Sequence, residues 1–266
     1  MLGLGLLVVL GYGAIYVTVV RNAYDIYKRV PVALGMAVSQ YVRDFLVGRG
    51  TDPGKVRVVL HGIDMDGRAS AGSGPSPIAG SEFIFAVSKF VRYANLETLI
   101  LAYGEMRRRG VLLPLLLAGG SWDGRYEVEI KRLVAEQGLA ASVDFLGYIP
   151  RERVIRHLRE CSLFLFPSTL EACPFTLLEA LASGAPIVTA RSGPMWEIAG
   201  DAALYFDPKD HHGLADQAVA LLGQPVRRAA LRDHALDRAR KFPWEESISA
   251  LVHTFEDAVR RGERRR

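Results

Sequence analysis

The feature that most restricts the fold of this chain is an alternation that begins after Gly80. Short, continuous apolar runs alternate there with longer segments of helical periodicity. Because the apolar runs are not interrupted by polar residues, both faces of the sheet they form must be covered, as in parallel sheets. Repeated strand–helix units with right-handed crossovers predict a doubly wound parallel α/β sheet.

The predicted elements follow one another with short connections. Strands are expected at residues 83–87, 111–118, 143–146, 163–166, 186–189 and 203–206. Helices are expected at residues 95–109, 125–138, 151–160, 175–183, 194–199, 211–222, 226–240 and 244–261.

A different composition precedes this region. Residues 67–80 are mainly Gly, Ser, Ala and Pro with almost no large apolar side chain, which is typical of a linker. Upstream, helical segments are expected at 30–35 and 39–48, and a strand at 56–60. We therefore divide the chain into a partial N-terminal domain (1–64), a linker (65–81), a larger domain (82–245) and a C-terminal helix that crosses back and ends in a basic tail (246–266).

The first residues allow two interpretations. Residues 2–20 carry no charge and are long enough to cross a bilayer, with Arg21, Lys28 and Arg29 keeping the remainder cytoplasmic. Several glycines interrupt this stretch, however, and residues 15–20 fit a buried parallel strand better. No small-residue cleavage site follows, so a removed signal peptide is not expected.

Charge and cysteine content limit the partners and the compartment. The net charge is only +4, and much of the excess lies in the arginine-rich tail, residues 260–266. That tail fits a solvated helix end or a contact with anionic lipid headgroups. No basic stretch with interleaved aromatic residues is present, so nucleic acid is not an expected partner. Two cysteines, Cys161 and Cys173, give no disulfide framework, which favours the cytoplasm, with peripheral contact to the inner membrane face as an alternative.

One segment, residues 167–186, concentrates chemistry at a strand end. In open parallel sheets, ligands bind at the carboxyl ends of strands, where helix N-termini present unpaired N–H groups. Pro174 is expected as the first helical residue, since its missing N–H would have no partner there. The N–H groups of Phe175, Thr176 and Leu177, with the Thr176 hydroxyl, would then hold a diphosphate. Glu171 precedes this helix and Glu179 lies one turn inside it, so both can face the crevice and bind vicinal hydroxyls.

This segment resembles the signature of family 4 of the retaining glycosyltransferases, which have the GT-B fold. The resemblance lies in a Glu, seven residues and a second Glu, placed between Pro167-Ser168 and the run Ala-Leu-Ala-Ser-Gly-Ala-Pro that ends at Pro186. Other stretches that match the family in the same order are Ala37–Tyr41, Val59–Asp64, Leu117–Gly120, Val143–Ser168, Pro194–Ile198 and Phe206–Pro208.

The resemblance implies an activity and a site. The expected activity is transfer of a sugar from a nucleotide-diphosphate sugar, such as a UDP- or GDP-sugar, to a glycan, lipid or small-molecule acceptor, with retention and without a metal cofactor. Glu171 would bind a hydroxyl of the transferred sugar, Lys89 would neutralise the diphosphate, and Glu179 would bind the ribose diol. The remaining donor-binding positions implied by the family are Phe175, Thr176, Leu177, Gly119, Arg92 and Glu197.

The sequence departs from the family at three places. The family has a second phosphate-binding Lys where Ala94 stands here, and Arg92 is two residues away from that position. Arg21 stands where the family has a His near the sugar, and complete members carry a further N-terminal stretch with a glycine-rich loop. A nucleotide-sugar-binding module that acts with a partner chain is therefore the alternative hypothesis.

Two other hypotheses have less support. A dehydrogenase would need a Gly-x-Gly-x-x-Gly fingerprint, which residues 118–121 do not supply. Asp64 and Asp66 form an Asp-x-Asp pair, as in metal-dependent transferases of another fold, but no further ligands lie near them in sequence.

Overall fold

The computed structural model describes residues 7–8, 34–65, 82–121 and 124–263. These residues form a three-stranded and a six-stranded parallel sheet. The strands are β1 (Leu7–Val8), β2 (Gly35–Ala37), β3 (Val56–Val58), β4 (Ile84–Val87), β5 (Leu115–Ala118), β6 (Val143–Gly147), β7 (Leu163–Phe166), β8 (Ile187–Ala190) and β9 (Leu204–Phe206). The helices are α1 (Gln40–Gly48), α2 (Leu96–Arg108), α3 (Arg125–Glu136), α4 (Arg151–Glu160), α5 (Phe175–Ala182), α6 (Met195–Ala199), α7 (His211–Leu222), α8 (Pro225–Ala239) and α9 (Trp244–Glu263).

The strand order of the large sheet locates its binding crevice. The order is β6-β5-β4-β7-β8-β9. The chain starts in the middle with β4, builds outward through β5 and β6, and then returns to add β7, β8 and β9 on the other side. In such sheets the crevice opens at the carboxyl ends of the two strands where the direction reverses. Here those strands are β4 and β7.

Apolar side chains cover both faces of this sheet, as the uninterrupted apolar runs predict. Successive strand residues point to opposite faces. Ile84 belongs to a buried cluster with residues of α2 and α7, while Phe85 belongs to a second cluster with residues of α4 and α5. The doubly wound α/β prediction is confirmed.

Most predicted boundaries lie within two residues of the observed ones, but two predictions were wrong in part. The strand expected at 111–118 forms only from Leu115, because Pro114 interrupts the apolar run. Val111 contacts the end of α2 instead, since its N–H donates to the Met106 carbonyl (3.0 Å). The helix expected at 30–35 does not reach its end, because Gly35 begins β2, which pairs with β3.

The small sheet and α1 form what we call the N-terminal unit, described at residues 7–8 and 34–65; the C-terminal unit comprises residues 82–263. Ser39 caps α1, since its hydroxyl accepts the Val42 N–H (3.2 Å). The Arg261 guanidinium of α9 donates to the Gly54 carbonyl of the N-terminal unit (2.9 Å).

Several sequence interpretations fall outside the described residues. They concern the strand or anchor at 15–20, Arg21, the linker at 66–81 and the tail at 264–266. Within the described ranges, no helix combines the length and apolar character needed to cross a bilayer.

Candidate functional site

The structure brings the two strand ends of the crevice together through the Tyr93 carbonyl. This carbonyl, in the loop after β4, accepts the Thr169 N–H (2.7 Å) and the Ser168 hydroxyl (3.2 Å), both in the loop after β7. Asn95 adds to this joint, because its amide donates to the Pro167 carbonyl (3.2 Å) and to the Pro208 carbonyl (2.8 Å). The loops that carry Lys89 and Glu171 are therefore held side by side.

Glu171 lies at this joint in a strongly desolvated position. The Ser168 hydroxyl donates to its carboxylate (2.8 Å). Burial raises the pKa of Glu171 to about 7, although the Ser168 hydrogen bond and the charge of Lys89 both act to lower it. A carboxyl group with such a pKa changes its protonation state near neutral pH, which is a frequent property of functional carboxylates.

Glu179 faces a cation that the sequence interpretation missed. Its carboxylate accepts the Nε–H of Arg151 at 2.6 Å, and only 15% of the Glu179 side chain is exposed. Arg151 is the first residue of α4, 28 positions earlier in the chain. The only sequence signal for this pair is that β6 and β7 end at the same edge of the sheet.

The N-terminus of α5 presents two unpaired N–H groups. Among the described residues, no acceptor contacts the N–H of Phe175 or Thr176. The Leu177 N–H donates to the Pro174 carbonyl (3.0 Å), so it is already engaged, contrary to the expectation that all three are open. Pro174 is the N-cap and not the first helical residue, because its ψ of 98° is extended.

Lys89 and Arg92 have different surroundings although they are three residues apart. Lys89 follows β4 and its charge reaches Glu171. Arg92 instead pairs with Glu97 (3.1 Å) and Glu129 (2.6 Å), and its guanidinium lies over the Tyr126 ring (5.0 Å). These partners on α2 and α3 already neutralise Arg92, so we expect it not to bind the donor.

Ala94, which occupies the position of the family's second cation, is fully buried. Its N–H donates to the Val91 carbonyl (2.9 Å) within a short 3₁₀ turn. A charged side chain at this position would have to leave the core, so the departure from the family involves local packing as well as charge.

Gly119 is required by a close approach of two strand ends. Its φ is +135°, and a Cβ built there would lie 1.7 Å from the Ser88 carbonyl oxygen. Its own N–H donates to the Gly147 carbonyl (2.8 Å). Gly119 therefore shapes the crevice through its backbone.

Glu197 joins the two units. Its carboxylate accepts the N–H groups of Gln40 (2.7 Å) and Tyr41 (3.1 Å) in the first turn of α1. This helix has no acidic residue of its own in that turn, so the carboxylate comes from 157 residues away. We expect Glu197 as well not to bind the donor, because both of its oxygens bind the backbone of the N-terminal unit.

The segment around Cys173 is packed against the N-terminal unit. Ala172 belongs to a buried cluster with Val38, Val42 and Val56. Beside it, the His61 ring stacks on the Phe175 ring, with centroids 4.6 Å apart and planes inclined by 27°. The β7–α5 loop, which carries Glu171, is therefore in contact with both units.

Metal ligands are not clustered in the part of the chain that the structure describes. No group of three or more His, Cys, Asp and Glu side chains there has the arrangement needed to hold an ion. Asp66 of the Asp-x-Asp pair lies outside the described residues.

Fold and site together define a class: a Rossmann-like unit whose crevice carries paired glutamates at a helix N-terminus, as in GT-B glycosyltransferases. The family model described as "Glycosyl transferases group 1" matches residues 75–241. The chain belongs to this family, and the resemblance stated from its sequence is confirmed.

Curated relatives agree with this assignment. The chain is 30% identical over 243 residues to D-inositol 3-phosphate glycosyltransferase of Corynebacterium jeikeium, covering 85% of this chain and 58% of that protein. It is 27% identical over 165 residues to O-antigen chain mannosyltransferase B of Escherichia coli, covering 60% of this chain and 42% of that protein. The chain thus spans about half the length of these relatives.

Solved structures share the fold. The chain superposes on Anabaena HepE in complex with UDP and glucose with a TM-score of 0.79 and 20% identity, covering 90% of this chain and 67% of that one. For sucrose-phosphate synthase of Thermosynechococcus elongatus the TM-score is 0.75 with 23% identity, covering 90% of this chain and 61% of that one.

Proposed function

We propose that this chain carries the donor half of a glycosyltransferase that transfers a sugar from a nucleotide-diphosphate sugar with retention of configuration. The observation that carries the proposal is the arrangement of Glu171 and Glu179 on either side of the unpaired N–H groups of α5. Glu171 lies in the loop after β7, one of the two strands where the order of the sheet reverses, and Glu179 lies in α5, which follows that loop. Family membership and relatives named as glycosyltransferases support it.

Each group has a defined task in this proposal. The N–H groups of Phe175 and Thr176, at the positive end of the α5 dipole, bind the diphosphate together with Lys89. Glu179 accepts the hydroxyls of the ribose, and these hydrogen bonds replace part of its interaction with Arg151. Glu171 accepts a hydroxyl of the transferred sugar. Since the leaving diphosphate departs on the face that the acceptor enters, the protein contributes mainly electrostatic stabilisation of that leaving group.

The preference of the site for one nucleotide base is best tested first with a uracil nucleotide. HepE and its complexes with UDP and with UDP-glucose support UDP as the first probe, and GDP and ADP are the comparisons. The acceptor class, a cytoplasmic location and a peripheral contact with anionic lipid stay predictions from the sequence. So does the division of the chain at residues 64, 81 and 245.

Isothermal titration of the purified chain with UDP, GDP and ADP tests the donor site. We expect one base to bind, and we expect Glu179→Gln to weaken that nucleotide by about tenfold or more, because a charged hydrogen-bond acceptor is lost. The 2′-deoxy analogue, which offers only the 3′-hydroxyl, should show a smaller difference between the wild type and the variant. Glu136→Gln, which breaks an exposed pair with Arg132 at the far end of α3, is the matched control.

Two results would contradict the proposal. One is a folded chain that binds none of the three nucleotides; the other is a nucleotide affinity that Glu179→Gln and Glu136→Gln change equally. Binding without turnover of any nucleotide sugar, even with relatives' acceptors, would favour the binding-module alternative. Where turnover is seen, NMR of the anomeric proton of the new bond distinguishes retention from inversion.

A further inference from the structure

His61 is a polar side chain of the N-terminal unit that the proposed reaction leaves without a task. It lies in the loop after β3, and its ring stacks on Phe175, the first residue of α5. Phe175 is 42% exposed, so this stack lies at the edge of the crevice and not in the core.

The backbone around His61 is fixed on both sides. The Val59 N–H donates to the Ala37 carbonyl (2.8 Å), and the Ile63 N–H donates to the Phe242 carbonyl (2.8 Å). Gly62 lies against Trp244, since a Cβ on Gly62 would be 2.5 Å from the Trp244 Cα. The backbone of the loop is therefore held in place, and the stack on Phe175 locates the imidazole.

The ring nitrogens of His61 are available to a ligand. In a stack, the nitrogens point outward in the ring plane, away from the aromatic face they cover. Among the described residues, neither nitrogen has a hydrogen-bond partner. Burial lowers the pKa of His61, and no charged side chain of the described residues contributes to this shift. The imidazole is therefore neutral at pH 7, with one N–H donor to offer.

We propose that the His61 ring donates a hydrogen bond to the β-phosphate of the nucleotide diphosphate bound at the N-terminus of α5. This inference rests on the proposed function. It gives the N-terminal unit a direct contact with the donor, so that the diphosphate is held by the His61 ring from one unit and by the Phe175 and Thr176 N–H groups from the other. A hydrogen bond to a charged phosphate is stronger than one between neutral groups.

His61→Phe tests the contact, because phenylalanine keeps the stack on Phe175 and removes both ring nitrogens. We expect the dissociation constant for UDP to rise about tenfold, the effect of losing one charge-assisted hydrogen bond. The dissociation constant for UMP, which lacks the β-phosphate, should not change. GDP and GMP replace this pair if the wild type selects guanine. His61→Asn, which retains a side-chain N–H, should recover part of the UDP affinity.

The outcomes separate the two proposals. If the wild type binds no nucleoside diphosphate, the proposed donor site itself is wrong. If wild type binds UDP and His61→Phe binds it equally well, only the role of His61 is wrong. A His61→Phe variant that loses UDP and UMP to the same extent also overturns it, because the effect then reflects the loop and not the β-phosphate. Thermal unfolding of each variant verifies that the fold is retained.

Discussion

The two loops that meet at the crevice differ in how they use their charged residues. In the β7–α5 loop, Glu171 and the α5 N–H groups lie at the strand end with capacity left for a ligand. In the β4–α2 loop, Arg92 is tied to Glu97 and Glu129, and Ala94 is in the core. The first loop is thus organised around the crevice, while much of the second is organised around packing on α2 and α3.

This difference indicates where motif spacing is informative. The β7–α5 chemistry comes from one continuous segment, so its geometry follows from a strand, a turn and a helix. One partner of Arg92, Glu129, comes from α3, and the proximity of Arg92 to Lys89 in sequence therefore says little about the direction of its side chain. The comparison can be tested at five positions, from the largest expected effect to the smallest.

Gly119→Ala should have the largest effect, because it adds a Cβ where the ends of β4 and β5 are in close contact. The added Cβ would lie 1.7 Å from the Ser88 carbonyl oxygen, and the φ of +135° is unfavourable for alanine. We expect the free energy of unfolding to fall by about 3 kcal/mol or more. Urea denaturation measures this. Gly120→Ala is the control, because nothing lies within 4 Å of its built Cβ; equal losses for both variants would contradict the close-approach argument.

Glu171→Gln should stabilise the unliganded protein above neutral pH. Burial raises the pKa of Glu171 to about 7 from an ordinary value of 4.5, so the folded state binds the proton more tightly than the unfolded state. The contribution of Glu171 to the free energy of unfolding therefore falls as the pH rises from 4.5 to 7. Above pH 7 the carboxylate is charged in the folded protein, and its full destabilising effect is present. The variant should exceed wild type by about 1–3 kcal/mol at pH 8 and by much less at pH 4.

Denaturation of Glu171→Gln and wild type at several pH values provides this measurement. A stability difference that does not change with pH would show that Glu171 titrates normally. Glu127→Gln, which breaks an exposed pair with Lys131, should show no gain at pH 8.

Lys89→Ala and Arg92→Ala compare the two cations directly. If Lys89 neutralises the diphosphate, its loss should weaken UDP binding by about tenfold, as expected for a charge-assisted contact. Arg92→Ala should leave UDP affinity unchanged and lower the melting temperature, since its partners are Glu97 and Glu129. Titration calorimetry and thermal unfolding separate the two effects. A loss of affinity in Arg92→Ala alone would restore Arg92 to the donor site.

Much of the large sheet could be predicted from sequence because its elements are long and their periodicity is clear. The helices at 151–160 and 211–222 have the predicted bounds. The N-terminal unit could not be predicted as well, since β2 consists of Gly, Met and Ala, which have little strand preference, and exists through pairing with β3.

The site shows the same limit. The two glutamates and the α5 N-terminus could be proposed as a site from the sequence because they lie in one segment. The Arg151–Glu179 pair spans 28 positions and the Glu197–Gln40 contact spans 157, so each depends on the assembled fold. A carboxylate that faces a crevice and one that caps a distant helix are indistinguishable in the sequence.

Glu197→Gln should have the smallest effect and tests the contact between the units. The carboxylate accepts two N–H groups in the first turn of α1, where negative charge also interacts favourably with the helix dipole. Glutamine keeps one acceptor oxygen but loses the charge and the second acceptor, so the unfolding free energy should fall by about 0.5–1.5 kcal/mol. UDP affinity should stay the same, because the side chain is committed to α1. Glu152→Gln, an exposed acid in the first turn of its own helix, is the control. A variant that keeps its stability but loses UDP affinity would mean that Glu197 leaves α1 to bind the donor, as the family resemblance implies.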